Sequence, residues 1–152
     1  MPFTGLRSCC GLSRVTTKLG VIWKSGIEVV TAADVLDVVL EPDARAAARA
    51  RRLLGKVAGS TPSGVVETAQ LLVSELVANA IRYSQGQIGL RALVTDRGTL
   101  RVEVSDDNPT VPHVVNPPPS VEQDNGRGMR IVDALASSWG SHSCATCSSW
   151  PH

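Results

Sequence analysis

Aromatic side chains are scarce, with one phenylalanine, one tyrosine and three tryptophans in 152 residues. A folded core must therefore be packed from Val, Leu, Ile and Ala. At 43% hydrophobic residues the chain has enough of them to exclude wholesale disorder. Neither sign of charge dominates, 15 Lys and Arg standing against 14 Asp and Glu. That balance provides no field to draw nucleic acid or an anionic membrane, so neither is expected as a direct partner. No run approaches the roughly 18 unbroken apolar residues of a membrane span. The first thirty residues scatter Arg7, Arg14, Lys18 and Lys24 where a secretory signal would be continuously apolar. A cytoplasmic location is the resulting expectation.

Cysteines are also few. The four occur as two local pairs, Cys9-Cys10 and Cys144-x-x-Cys147, and in a cytoplasmic chain they are expected as free thiols. His142, Cys144, Cys147 and His152 could surround a zinc ion, but their spacing matches no common zinc module. A disordered tail is the preferred reading of that segment. Neither a GxxxxGK[ST] loop nor a complete GxGxxG is present, which argues against P-loop and Rossmann sites.

The length fits one domain with short extensions. Residues 1–31 show no sustained periodicity and read as a poorly ordered leader. Val35 to Leu40 alternates as a strand, and Ala44 to Ala58 forms an Ala- and Arg-rich helix closed by Gly59. Thr61 supplies an N-cap and Pro62 a first helical residue for a long helix reaching about Tyr83. Its apolar face holds Val65, Ala69, Leu72, Val73, Leu76, Val77 and Ala80; Thr68, Leu71, Glu75, Asn79 and Arg82 form a stripe at its edge. Ile88 to Val94 and Leu100 to Val104 read as a hairpin joined through Thr95 to Gly98. A proline-rich stretch from Asp107 to Asn125 follows, long enough to serve as a lid. Gly126-Arg127-Gly128 opens a last helix with Met129, Val132, Leu135, Ala136 and Trp139 on one side and Gly140 as its stop. Ser141 to His152 carries no strand or helix pattern. The expected class is α+β: a two-layer sandwich of a mainly antiparallel sheet with helices on one face.

Three features could carry chemistry. Glu75 and Asn79, four apart on one helix, point to the same place; a carboxylate can accept a proton and an amide oxygen can ligate Mg²⁺. Such a pair also occurs on an ordinary solvated helix face. Asp106 shares the parity of Leu100, Val102 and Val104, which turns its carboxylate toward the core side, where a lone charge needs a partner. It is either a turn aspartate or an acceptor for an exocyclic amine. Gly126-Arg127-Gly128 at a helix start is either a plain turn or a phosphate cradle, since glycines let backbone N–H groups approach an anion.

In this order the features resemble the GHKL superfamily of gyrase-type, chaperone, histidine-kinase and mismatch-repair ATPases. Within it the chain looks most like bacterial anti-sigma-factor serine/threonine kinases. Leu71-Leu72-Val73-Ser74-Glu75-Leu76-Val77-Ala78-Asn79-Ala80-Ile81-Arg82 is similar to their N box. The resemblance spans about Val35 to Gly140 and implies a Bergerat-like ATP-binding domain over residues 32–140. It implies ATP and Mg²⁺ as cofactors, with Glu75 as general base, Asn79 as magnesium ligand and Asp106 as adenine reader. Gly126, Arg127 and Gly128 would contact phosphates. A sigma factor and an antagonist (anti-anti-sigma) protein are the implied partners, and a homodimer is possible. A non-catalytic module that sequesters a partner is the alternative. A histidine kinase is disfavoured, because His113, His142 and His152 sit in loop and tail. The chain departs from the superfamily twice: Asp106-Asp107-Asn108-Pro109 replaces Asp-x-Gly-x-Gly, and residues 141–152 form an atypical tail where a last strand is expected.

Overall fold

The computed structural model describes residues 12–17, 35–57, 59, 61–94, 99–108, 110, 112–116 and 126–142. Their elements run β1 (Leu12–Thr17), β2 (Val35–Leu40), α1 (Ala46–Val57), α2 (Ser63–Tyr83), β3 (Ile88–Val94), β4 (Leu100–Ser105), α3 (Arg127–Leu135) and β5 (Ser138–His142). The five strands form one sheet in the order β2-β3-β4-β1-β5, and every neighbouring pair is antiparallel.

Strand alternation builds the core. Ile88, Leu90, Ala92 and Val94 of β3, Leu100, Val102 and Val104 of β4, and Leu36 and Leu40 of β2 are buried on one face. Against that face α2 lays Ala69, Leu72, Val73, Leu76, Val77 and Ala80. α1 adds Ala46, Ala50 and Leu54, its alanines allowing close approach. By length and composition alone α2 would pass for a membrane-crossing helix; the face it buries on the sheet accounts for six of its apolar residues, while Leu71 stays exposed. Truncating one of these fully buried leucines, such as Leu72, would cost about 2–5 kcal/mol. The opposite sheet face is mixed, with Val39 and Leu93 beside charged residues. Asp37, Arg91 and Glu103 stand side by side in register across β2, β3 and β4, and Glu103, 8% exposed, pairs with Arg101 at 2.7 Å.

The α+β architecture is as expected, with helices on one face of an antiparallel sheet. Several boundaries differ. The segment read as a leader contains β1, which lies inside the sheet between β4 and β5. The last helix does not run to Gly140. It ends at Leu135, where Ala136 turns extended (φ −73, ψ 139) and leads into β5. The tail thus does not lack a last strand: Ser138–His142 pairs with β1, Leu12 opposite His142 and Val15 opposite Trp139. Backbone pairing supplied by β1 drives this, since Ser-Trp-Gly-Ser-His has no alternation of its own. Trp139 is half-buried against the core and its indole N–H donates to Asp133 Oδ1 at 2.9 Å.

Thr61 does not cap α2. Pro62 holds the N-cap position, and its carbonyl accepts from the N–H groups of Val65 and Val66 at 3.0 and 3.2 Å. The Thr61 hydroxyl is buried without a hydrogen bond among the described residues. Of the stretch expected to act as a lid, residues 112–116 are anchored. Val114 packs on the core, Arg130 donates to Val115 O and Asn116 Oδ1 at 3.3 Å each, and the Ser141 hydroxyl donates to Pro112 O at 3.3 Å. Residues 117–125, the hairpin turn at 95–98 and the cysteine-bearing tail beyond His142 lie outside the described residues.

Candidate functional site

α2 carries the first two candidates. Glu75 and Asn79 are both half-buried, at the margin of the face that packs on the sheet, while Leu71 and Arg82 of the same stripe are exposed. The other flank of the helix is tied to α1. Gln70 Nε2 donates to the carbonyl of Arg51, and Arg51 Nη1 donates to the Ser74 hydroxyl, each at 3.0 Å. A helix held on two sides presents Glu75 and Asn79 from a stiff element, which suits a site that must keep its geometry.

α3 meets α2 at Glu75. Gly126 precedes the helix in the left-handed region, φ 97, where side-chain-bearing residues rarely sit. Gly128 lies in the first turn so near Glu75 that a Cβ built on it would fall 2.9 Å from Glu75 Oε2 and 3.6 Å from its Cβ. Met129 and Val132, buried in the core, hold the helix in this pose. The N–H groups of that turn favour an anion, no acidic residue occupies the turn, and Arg127 stands exposed on it.

Asp106 follows the end of β4 at Ser105 and is half-buried. Burial pushes its carboxyl above the ordinary range, reinforced by the neighbouring charge of Asp107. The Asn108 N–H, donating to Oδ1 at 2.8 Å, opposes part of that shift. Oδ1 is thus engaged locally, while Oδ2 has no hydrogen bond among the described residues. Asp107 behaves oppositely: it is exposed, and its carboxyl is held below the usual range by the Ser84 hydroxyl first, with the Gln85 N–H donating at 3.1 Å. Ser84 is the residue at which α2 ends.

These contacts string the candidates along one helix. α3 with its glycine turn docks at Glu75, Asn79 follows one helical turn on, and the β4 exit bearing Asp106 is fastened at Ser84. Glu75 to Ser84 corresponds to about 13 Å of helix rise. Ser84 and Asp107 were not singled out from the sequence; a serine directly after a long helix and a second acid beside Asp106 are the signals that could have found them. Among the described residues no group of three His, Cys, Asp or Glu could hold a metal. The zinc set considered from the sequence falls on Cys144, Cys147 and His152, outside those residues, with His142 described only as backbone.

Helices on one face of an antiparallel sheet, with Glu-x-x-x-Asn on the central helix facing a glycine-bearing helix start, form a recognisable combination. The family model for the histidine kinase-like ATPase domain matches residues 40–146, well over half the chain. The chain belongs to this family. It therefore carries an ATP-binding, kinase-like domain. β1 lies before the matched span, yet it completes the sheet. An uncharacterized protein of Streptomyces coelicolor is 39% identical over 51 residues, 34% of this chain and 49% of that protein. The chain thus spans about half the length of the curated relative it matches. No solved structure matches the chain.

Proposed function

We propose that the protein is a serine/threonine kinase that phosphorylates an antagonist protein and thereby regulates a sigma factor. The observation that carries this reading is the juxtaposition of the Glu75 carboxylate with the first turn of α3 at Gly128. It sets a proton acceptor beside an anion-binding helix start, the arrangement that phosphoryl transfer to a hydroxyl needs.

The residues fit Mg²⁺ and ATP. Asn79 offers a neutral amide oxygen, suited to an ion that keeps most of its waters. Gly126, Arg127 and Gly128 would hold phosphates through N–H groups and a guanidinium. Asp106 has a carboxylate oxygen without a hydrogen bond among the described residues, in a half-buried setting suited to the exocyclic amine of adenine. Magnesium-bound ATP supplies the transferable phosphoryl group. Glu75 would take the proton of the acceptor hydroxyl as its oxygen bonds to the terminal phosphorus and the bond to ADP, the leaving group, breaks. The turn of α3 would hold the phosphates through its N–H groups, and the packing of α2 on the sheet keeps Glu75 from drifting.

The reading is tested by incubating the purified chain with labelled ATP, Mg²⁺ and candidate antagonist proteins. Transfer of label to a serine or threonine, lost in Glu75→Gln, is the expected result. Nucleotide binding with no transfer to any candidate would instead favour the sequestering module. A sigma factor and a homodimer belong to the same proposal, and co-purification and light scattering test them.

A further inference from the structure

We propose that Ser84 and Asp107 form a positioning pair that sets the pose of Asp106 relative to α2, and with it the affinity and base selectivity of the nucleotide site. This rests on the adenine-reading role given above to Asp106. Asp106 follows the last residue of β4, and among the described residues its carboxylate has one hydrogen bond, from Asn108 two residues on. That bond shapes the local turn but does not place the carboxylate relative to α2.

The placement comes from the next residue. Asp107 Oδ1 accepts from the Ser84 hydroxyl and from the Gln85 N–H at 3.1 Å. Ser84 is 8% exposed and bound on three sides: its N–H closes α2 on the Ala80 carbonyl at 2.9 Å, its hydroxyl donates to Asp107, and the same oxygen accepts from the Gly86 N–H at 3.3 Å. The exit of β4 is thereby fastened to the exit of the helix that carries Glu75 and Asn79. Two adjacent carboxylates divide the work, Asp107 as anchor and Asp106 as reader. Asp107 is exposed and outside the core, so removing it leaves the packing of the sheet intact.

The test is calorimetric titration of the full chain with ATP and with GTP in Mg²⁺, with melting curves run alongside. Wild type should prefer ATP. Asp107→Ala and Ser84→Ala should each lower ATP affinity roughly tenfold, the scale of one lost hydrogen bond. They should also bring the ATP-to-GTP ratio close to one. Asp107→Asn keeps the acceptor oxygen while losing the charge, so it should retain affinity and ratio. The double alanine variant should be no worse than either single one, since both break the same link. An unchanged ratio in Asp107→Ala overturns the pair even if Ser84→Ala fails to fold. Equal loss in Asp107→Asn and Asp107→Ala overturns it too, because charge would then be the cause. Wild type binding neither nucleotide sinks the underlying site reading, a result distinct from either of these.

Discussion

Replacing Gly128 by alanine should separate catalysis from folding. The new Cβ would lie 2.9 Å from Glu75 Oε2, against an ordinary contact of 3.4 Å or more, so the carboxylate must retreat by about half an ångström. The atom that gives way is the tip of a flexible side chain, and Gly128 is not in the positive-φ region, so the backbone need not move. For the fold two effects oppose: alanine in place of glycine in a helix gains roughly 0.5–1 kcal/mol, and a strained Glu75 rotamer costs a similar amount. Stability in a denaturant titration should therefore stay within about 1 kcal/mol of wild type. Catalytic groups tolerate about 0.5 Å of error, and displacement by 1 Å can cost about a hundredfold. Phosphotransfer should then fall on the order of tenfold, about 1.4 kcal/mol of barrier. ATP binding should change little, because the N–H groups of the turn remain. Full turnover in Gly128→Ala, or a loss of turnover matched by a loss of stability, would refute the placement of Glu75 as a base held against α3.

Glu75→Gln should keep ATP binding in calorimetry while lowering phosphotransfer by about 10²–10⁴-fold; retained turnover would remove Glu75 from proton handling. Asn79→Ala should weaken magnesium-dependent ATP binding and have less effect when the metal is chelated; equal effects in both conditions would take Asn79 out of the metal site. Asp106→Asn should weaken ATP binding by about 1–3 kcal/mol and narrow the preference over GTP. Because burial raises the Asp106 carboxyl in the folded chain, its contribution to stability is fully present below the unfolded value near 3.8 and is lost as pH rises through its folded value. Asp106→Asn should therefore melt at or above wild type at pH 7, with the gain vanishing in acid; a lower melting point at pH 7 would contradict that burial cost.

Much of this was legible in the sequence. β2, β3 and α2 fall where alternation and the helical face put them, because each buries a periodic set of side chains against one shared core. The glycine turn and the Glu-x-x-x-Asn stripe were legible for the same reason, since local spacing decides which side chains share a face. β1 and β5 were not. Leu12–Thr17 is short and mixed, and its pairing partners lie in β4 and β5, far along the chain. In Ser138–His142 the apolar Trp139 fits a continued helix as well as a strand, and only Ala136 turning extended decides between them. The Ser84–Asp107 link joins two elements across a hairpin, a distance no periodicity reports.

β1 sits out of sequence order in the sheet, between β4 and β5. Leu12 pairs on one side with Ser105 and on the other with His142, so both neighbours of β1 lie far later in the sequence. A growing chain can collapse α1 and α2 onto the β2–β3–β4 sheet early, through contacts close in sequence. The edge of β4 then waits for a segment made long before, and β5 cannot dock until that segment is in place. Such long-range pairing is slow to form and leaves a strand edge open while it waits. A fragment beginning at residue 32 would keep the helices and the proposed site residues, yet hold that edge permanently bare and give β5 nothing to pair with.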